Sequence, residues 1–246
     1  MDLNKIHEYS TGSNSTIAII DSGISESIAL QEDVEVIDFT NTNPYDDNGH
    51  GTMMYSIIKG VNDEYVGVSP DADIISLKVM SEDESIKPPS LIKALKYAME
   101  AEVDVINLSL ASYKYNKKID ELLDMAVEKD IIVVASSGDY GDTTPMFPAN
   151  QDNTISVGAL NRQGEDLSLS SGNSSTTINV PGENIYASVS SSLITSSSGT
   201  SQSSALISGY IALMKSKCKK ITFEEVLDNV SKIKETNDYI RFFKEM

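Results

Sequence analysis

Apolar residues along this chain gather in short β-branched runs, at Ile17–Ile20, Val34–Phe39, Ile74–Val79, Val103–Leu108 and Ile131–Ala135. Several are followed by stretches of helical period. Leu91, Ile92, Leu95, Ala98 and Met99 repeat at that spacing, as do Ile119, Leu122, Leu123, Ala126 and Val127, so each helix has one apolar face to bury. Continuous apolar strands alternating with amphipathic helices predict an α/β fold, a mostly parallel central sheet with helices on both faces. Beyond Pro148 the pattern loosens into shorter strands around Thr154–Leu160, Thr177–Val180 and Ile185–Val189, separated by Ser, Asn and Gly. It tightens again at Gly199–Met214, a helix with a Ser/Thr-rich start and apolar Ala205, Leu206, Ile207, Ile211, Leu213 and Met214. A last amphipathic helix is predicted to begin near Thr222, with Glu225 three residues on as the second half of a capping box. The serine-rich tract Ser188–Ser204 runs straight into a strongly apolar helix, so it reads as an ordered loop rather than a linker.

Composition narrows the class. A chain of 246 residues can bury one substantial core, and we read 1–246 as a single domain. Its 19 Lys and Arg against 37 Asp and Glu leave a formal charge of −18, which repels nucleic acid phosphates and anionic lipid and attracts basic peptide segments. Cys218 is the only cysteine, so neither an intrachain disulfide nor a cysteine-rich metal site can form, which fits a reducing compartment. The first sixteen residues lack the basic start and apolar stretch of a secretory signal, and no apolar run approaches the roughly 20 residues of a membrane span. The expectation is a cytoplasmic protein without membrane contact, the alternative being a secreted mature domain from which signal and prodomain have been removed.

Three segments carry chemistry. In IAIIDSGI, Asp21 ends an apolar strand before a Ser-Gly turn; alone it reads as a turn residue bonding its own backbone. In DDNGHGTMMYSII, His50, one of two histidines, stands between glycines at a helix start, where alone it is a surface residue. In SGTSQSSALISGYIALM, Ser201 opens a buried helix, whose terminal N–H groups favour developing negative charge. Asp, His and Ser in that chain order supply what acyl transfer requires: a group to orient an imidazole, a base, and a nucleophile. A G-x-S-x-G elbow is missing around Ser201, which sets aside the other common α/β hydrolase arrangement.

The residues around all three positions resemble the strand-Asp-Ser-Gly, His-Gly-Thr and Gly-Thr-Ser motifs of the subtilisin-like serine proteases, and the resemblance covers nearly the whole chain. Gly67–Met80, Val105–Leu110, Ile131–Gly141, Phe147–Asn150 and Val180–Ser188 look like further landmarks of that family, in order. The resemblance implies a three-layer subtilisin-like fold and hydrolysis of a peptide or protein substrate through an acyl-enzyme on Ser201, with Asp21 and His50 completing a catalytic triad. It also implies a pocket for the side chain before the cleaved bond, with Ser109, Leu110 and Ala111 as one wall and Ala135, Ser136, Ser137 and Gly138 as the other. Ala111 stands where the family usually has glycine and adds a methyl to that pocket.

Departures from the family matter too. Asp139 occupies the place of the asparagine that completes the oxyanion hole beside the Ser201 N–H, and an ionised carboxylate cannot donate. The expected enzyme is therefore slow or selective, the alternative being a pseudoprotease that acts as a peptide-binding or regulatory protein. No counterpart of the family's calcium-ligating Asp follows Asp21, so no cofactor is expected, with Asp46, Asp47, Asp63 and Glu64 left as candidates for a weak calcium site. No segment before Asp21 matches the family's prodomain.

Overall fold

The computed structural model describes residues 1–62, 65–83 and 85–245. The chain begins with α1 (Leu3–His7), β1 (Thr16–Asp21), α2 (Glu26–Gln31), β2 (Glu35–Asp38) and α3 (His50–Ile58). A small antiparallel pair, β3 (Gly60–Asn62) and β4 (Tyr65–Val66), leads to β5 (Asp73–Lys78), α4 (Pro88–Glu100), β6 (Val105–Leu108), α5 (Lys117–Val127) and β7 (Ile132–Ser136). There follow β8 (Ile155–Leu160), β9 (Ile178–Pro181), the antiparallel pair β10 (Ile185–Ser188) and β11 (Ile194–Ser197), then α6 (Thr200–Lys217), α7 (Phe223–Ser231) and α8 (Arg241–Glu245).

Seven strands form one sheet in the order β2-β5-β1-β6-β7-β8-β9, every neighbouring pair parallel. The predicted three-layer α/β architecture is thus observed. Because strand side chains alternate, one face of the sheet (Ile17, Ile19, Ile74, Val105, Ile132, Val134, Ile155, Val157) packs on α3, α6 and α7. The other (Ala18, Ile20, Ile75, Leu77, Ile106, Leu108, Val133, Ala135) packs on α4 and α5. From central β1 the chain runs outward to β2 and β5 on one side and, after α4, to β6 and beyond on the other. A crevice therefore opens at the carboxyl ends of β1 and β6, where parallel sheets bind ligands.

α6 threads one helical layer, and all but four of its 18 residues are buried. Its polar side chains are satisfied there: Ser208 Oγ donates to Asn107 Oδ1 at 2.9 Å, Ser203 Oγ to the Val180 carbonyl at 3.1 Å, and Lys215 Nζ to the Asp130 and Ile221 carbonyls at 2.7 and 3.0 Å. The predicted capping box at Thr222 and Glu225 forms at the start of α7. The tract at Ser188–Ser204 is ordered, as read, but it contains strand β11. No helix among the described residues is long and apolar enough to cross a membrane.

Candidate active site

Asp21 is the last residue of β1 and only 1% exposed. Its Oδ1 accepts the Ser22 N–H at 2.7 Å and lies 2.7 Å from His50 Nδ1. An ionised carboxylate can only accept, so Nδ1 carries a proton, and in the neutral ring Nε2 is then the nitrogen with the lone pair, the tautomer a general base requires. Asp21 Oδ2 is buried and has no hydrogen-bond partner among the described residues.

His50 is the first residue of α3, and the two glycines beside it have different reasons. Gly49 adopts φ +90°, a left-handed conformation that side chains resist. At Gly51 a Cβ would stand 2.2 Å from the Gly23 carbonyl oxygen and 3.2 Å from Asp21 Cβ, so glycine lets the histidine helix lie directly on the Asp21 turn. Gly49 has no side chain with which to cap, and the start of α3 is satisfied by its neighbours. Asn48 Oδ1 accepts the His50 N–H at 2.9 Å, Ser22 Oγ the Gly51 N–H at 2.9 Å, and Asp46 Oδ2 the Thr52 N–H at 2.9 Å.

Ser201 is the second residue of α6, partly exposed at the positive end of that helix. Its Oγ donates a long bond, 3.4 Å, to the Ser109 carbonyl. The loop after β7 is stapled to the same turn: Gly138 N–H donates to Thr200 Oγ1 at 3.1 Å, and Asp139 Oδ1 accepts the Thr200 N–H at 2.8 Å. Asp139 thus caps α6 in place of Gly199, which offers no side chain. Asp139 retains exposed surface, yet the protein around it raises its carboxyl above the usual carboxylate value. The Thr200 hydrogen bonds and the charge of His50 oppose that rise. Asp21 and His50 are joined by their hydrogen bond, Asp139 is joined to Thr200 beside Ser201, and the helices that carry His50 and Ser201, α3 and α6, pack against each other.

The segments expected to wall a substrate pocket follow β6 and end β7. What they offer is mainly backbone. Leu110 and Ala135 turn their side chains into the core beneath α4 and α5. The Ser109 hydroxyl is engaged with Ser204 Oγ at 2.9 Å and the Ser201 carbonyl at 3.2 Å, while Ser136 and Ser137 are buried. Ala111 is partly exposed.

Sequence reading missed a residue that joins the two walls. The Met146 N–H bonds the Ser137 carbonyl at 2.9 Å, and the next residue, Phe147, exchanges backbone bonds of 2.8 and 3.1 Å with Ser112. Buried Met146 packs its side chain on Gly138, where a Cβ would come within 2.4 Å of its Sδ. A hollow of about 330 Å³ lies beyond, lined in part by Ser112, Tyr113, Asp142, Met146 and Phe147.

Of the four acidic residues named for a weak calcium site, Asp46 is engaged by protein donors and Asp47 pairs with buried Lys78 at 2.8 Å; Asp63 and Glu64 lie outside the described residues. Among the described residues no group of three or more His, Cys, Asp or Glu is placed to hold a metal ion.

A parallel-sheet core with a hydrogen-bonded Asp21–His50 pair at the end of β1 and Ser201 at the start of α6 defines a class, and comparison with known families agrees: residues 12–236 match the subtilase family, and the chain belongs to it. It is 31% identical over 230 residues to subtilisin amylosacchariticus of Bacillus subtilis subsp. amylosacchariticus, covering 89% of this chain and 60% of that protein. It is 29% identical over 228 residues to subtilisin DY of Bacillus licheniformis (89% and 83% covered), and 30% identical over 210 residues to minor extracellular protease Epr of Bacillus subtilis strain 168 (83% and 32%). The chain therefore spans about a third of Epr and three-fifths of subtilisin amylosacchariticus.

Proposed function

We propose that this chain is a serine endopeptidase. Ser201 Oγ attacks the scissile carbonyl while His50 Nε2 takes its proton, and Asp21 holds the imidazole and stabilises the imidazolium. The Ser201 N–H, at the start of α6, and Asp139 when protonated would donate to the oxyanion. Collapse passes the His50 proton to the leaving amine and leaves an acyl-enzyme, which water hydrolyses by the same steps in reverse. The observation that carries this reading is the 2.7 Å bond between Asp21 Oδ1 and His50 Nδ1, at the crevice where Ser201 opens a buried helix.

The substrate reading rests on the Ala111 methyl, on Met146 against Gly138, and on the charge of −18. Together they favour a small or medium side chain before the cleaved bond and basic flanking residues. The single cysteine, with no intrachain disulfide to maintain, supports a cytoplasmic setting.

One experiment tests activity and preference together. A fluorophosphonate probe should label the wild type and not Ser201→Ala. A peptide panel varied before the cleaved bond and in its flanks, assayed at low and high salt, should favour Ala over Phe, with the advantage of basic flanks shrinking as salt rises. No labelling between pH 5 and 8 would make the protein a peptide-binding relative rather than an enzyme.

A further inference from the structure

Asp46 lies outside the reacting set, yet its carboxylate is the point at which the strand bearing Asp21 and the helix bearing His50 are joined. Its Oδ1 accepts from Ser22 Oγ at 2.8 Å, Gly49 N–H at 2.9 Å and Asn48 N–H at 3.1 Å. Its Oδ2 accepts from Thr52 N–H at 2.9 Å and from Thr52 Oγ1. Ser22 Oγ in turn accepts the Gly51 N–H, so a single hydroxyl beside Asp21 links the strand end to both Asp46 and α3. Thr52 Oγ1 also accepts the Ser25 N–H at 3.0 Å, which ties down the far side of the turn after Asp21. Five donors on one carboxylate exceed what helix capping demands, and they come from both sides of His50 and from the residue next to Asp21.

We propose, resting on the endopeptidase reading above, that Asp46 is a positioning residue: its carboxylate sets the approach of the His50 imidazole to Asp21 through Ser22, Gly49 and Thr52. An amide would not substitute. Asn offers one accepting oxygen, and its NH₂ would point at groups that already donate, so one set of bonds must break. The imidazole, carried on the first residue of a short helix, would then shift against a fixed Asp21.

The test compares wild type, Asp46→Asn and, because the first variant can fail to fold, Ser22→Ala. Each is checked for folding by near-ultraviolet circular dichroism. In folded Asp46→Asn we expect kcat to fall about 10- to 100-fold, the scale of a misplacement of roughly 1 Å, with KM within about threefold. The low-field proton signal of His50 Nδ1–H should shift or broaden. Ser22→Ala should move both readouts the same way by less. The proposal is overturned if folded Asp46→Asn keeps its kcat, or loses kcat with an unchanged Nδ1–H signal. If Asp46→Asn does not fold, an unchanged Ser22→Ala overturns it. The proton signal needs no turnover, so a wild type that fails to cleave peptides would defeat the endopeptidase reading and leave this comparison standing.

Discussion

At the scale of single residues, the oxyanion role proposed for Asp139 carries a pH dependence of its own. Its Oδ1 is engaged by the Thr200 N–H, which leaves Oδ2 to carry the proton that would make it an oxyanion donor. Desolvation of the carboxyl by the protein around it raises it above its usual value even though the residue keeps exposed surface, so the donor survives to a higher pH than an ordinary aspartate would allow. The sign follows: the donor is present below the Asp139 pKa and lost as pH rises through it. In Asp139→Asn, the amide oxygen can keep the Thr200 bond while the NH₂ donates at every pH. We expect its kcat at pH 8 to exceed the wild type on the order of 10-fold or more, with no decline belonging to residue 139. pH–rate profiles of the two proteins on one peptide check this; equal rates at pH 8 would show that the residue serves only as a cap for α6. Asp21, His50 and Ser201 could be proposed from the sequence because each lies in a short local motif. Asp46 and Met146 could not, since their parts depend on partners such as Ser22 and Gly138 that fold beside them.

At the scale of elements, legibility followed length and burial. β1, β5, β7, α4 and α6 were visible because a fully covered strand must be apolar throughout and a long helix must repeat its apolar face. α2, with six residues and only Ile28 and Ala29 buried, has too short a period to register. β11 was hidden by its serines, since a strand pairing only with β10 and largely exposed needs no apolar alternation. The connection between β7 and β8 offers a prediction of its own, because Pro145–Phe147 ties both pocket walls and Met146 covers Gly138. Met146→Ala should open the space towards the 330 Å³ hollow and raise kcat/KM for Phe relative to Ala before the cleaved bond by about 10-fold, the range one or two added methylenes command in a pocket. The peptide panel reads this directly, and an unchanged ratio would remove Met146 from specificity.

At the scale of the whole molecule, the sheet divides the labour: the carboxyl ends of β1, β6 and β7 face the crevice, while the opposite ends close on α6 and α7 through Asp104, Asp130 and the buried Lys215. α6 spans both regions, with Ser201 at one end and Lys215 near the other. A nucleophile mounted on an exposed loop can be lost or regained by local opening, but here the same rod that presents it fills the interior. Amide protons in the middle of α6 should therefore exchange only when the entire fold opens. In a denaturant series, loss of fluorophosphonate labelling at Ser201 should share its midpoint with loss of tertiary structure; labelling that disappears first would show the reactive end fraying independently. On this reading the chain has no half-open form in which the core persists while the nucleophile is gone, and heat or denaturant will abolish catalysis and architecture in a single step.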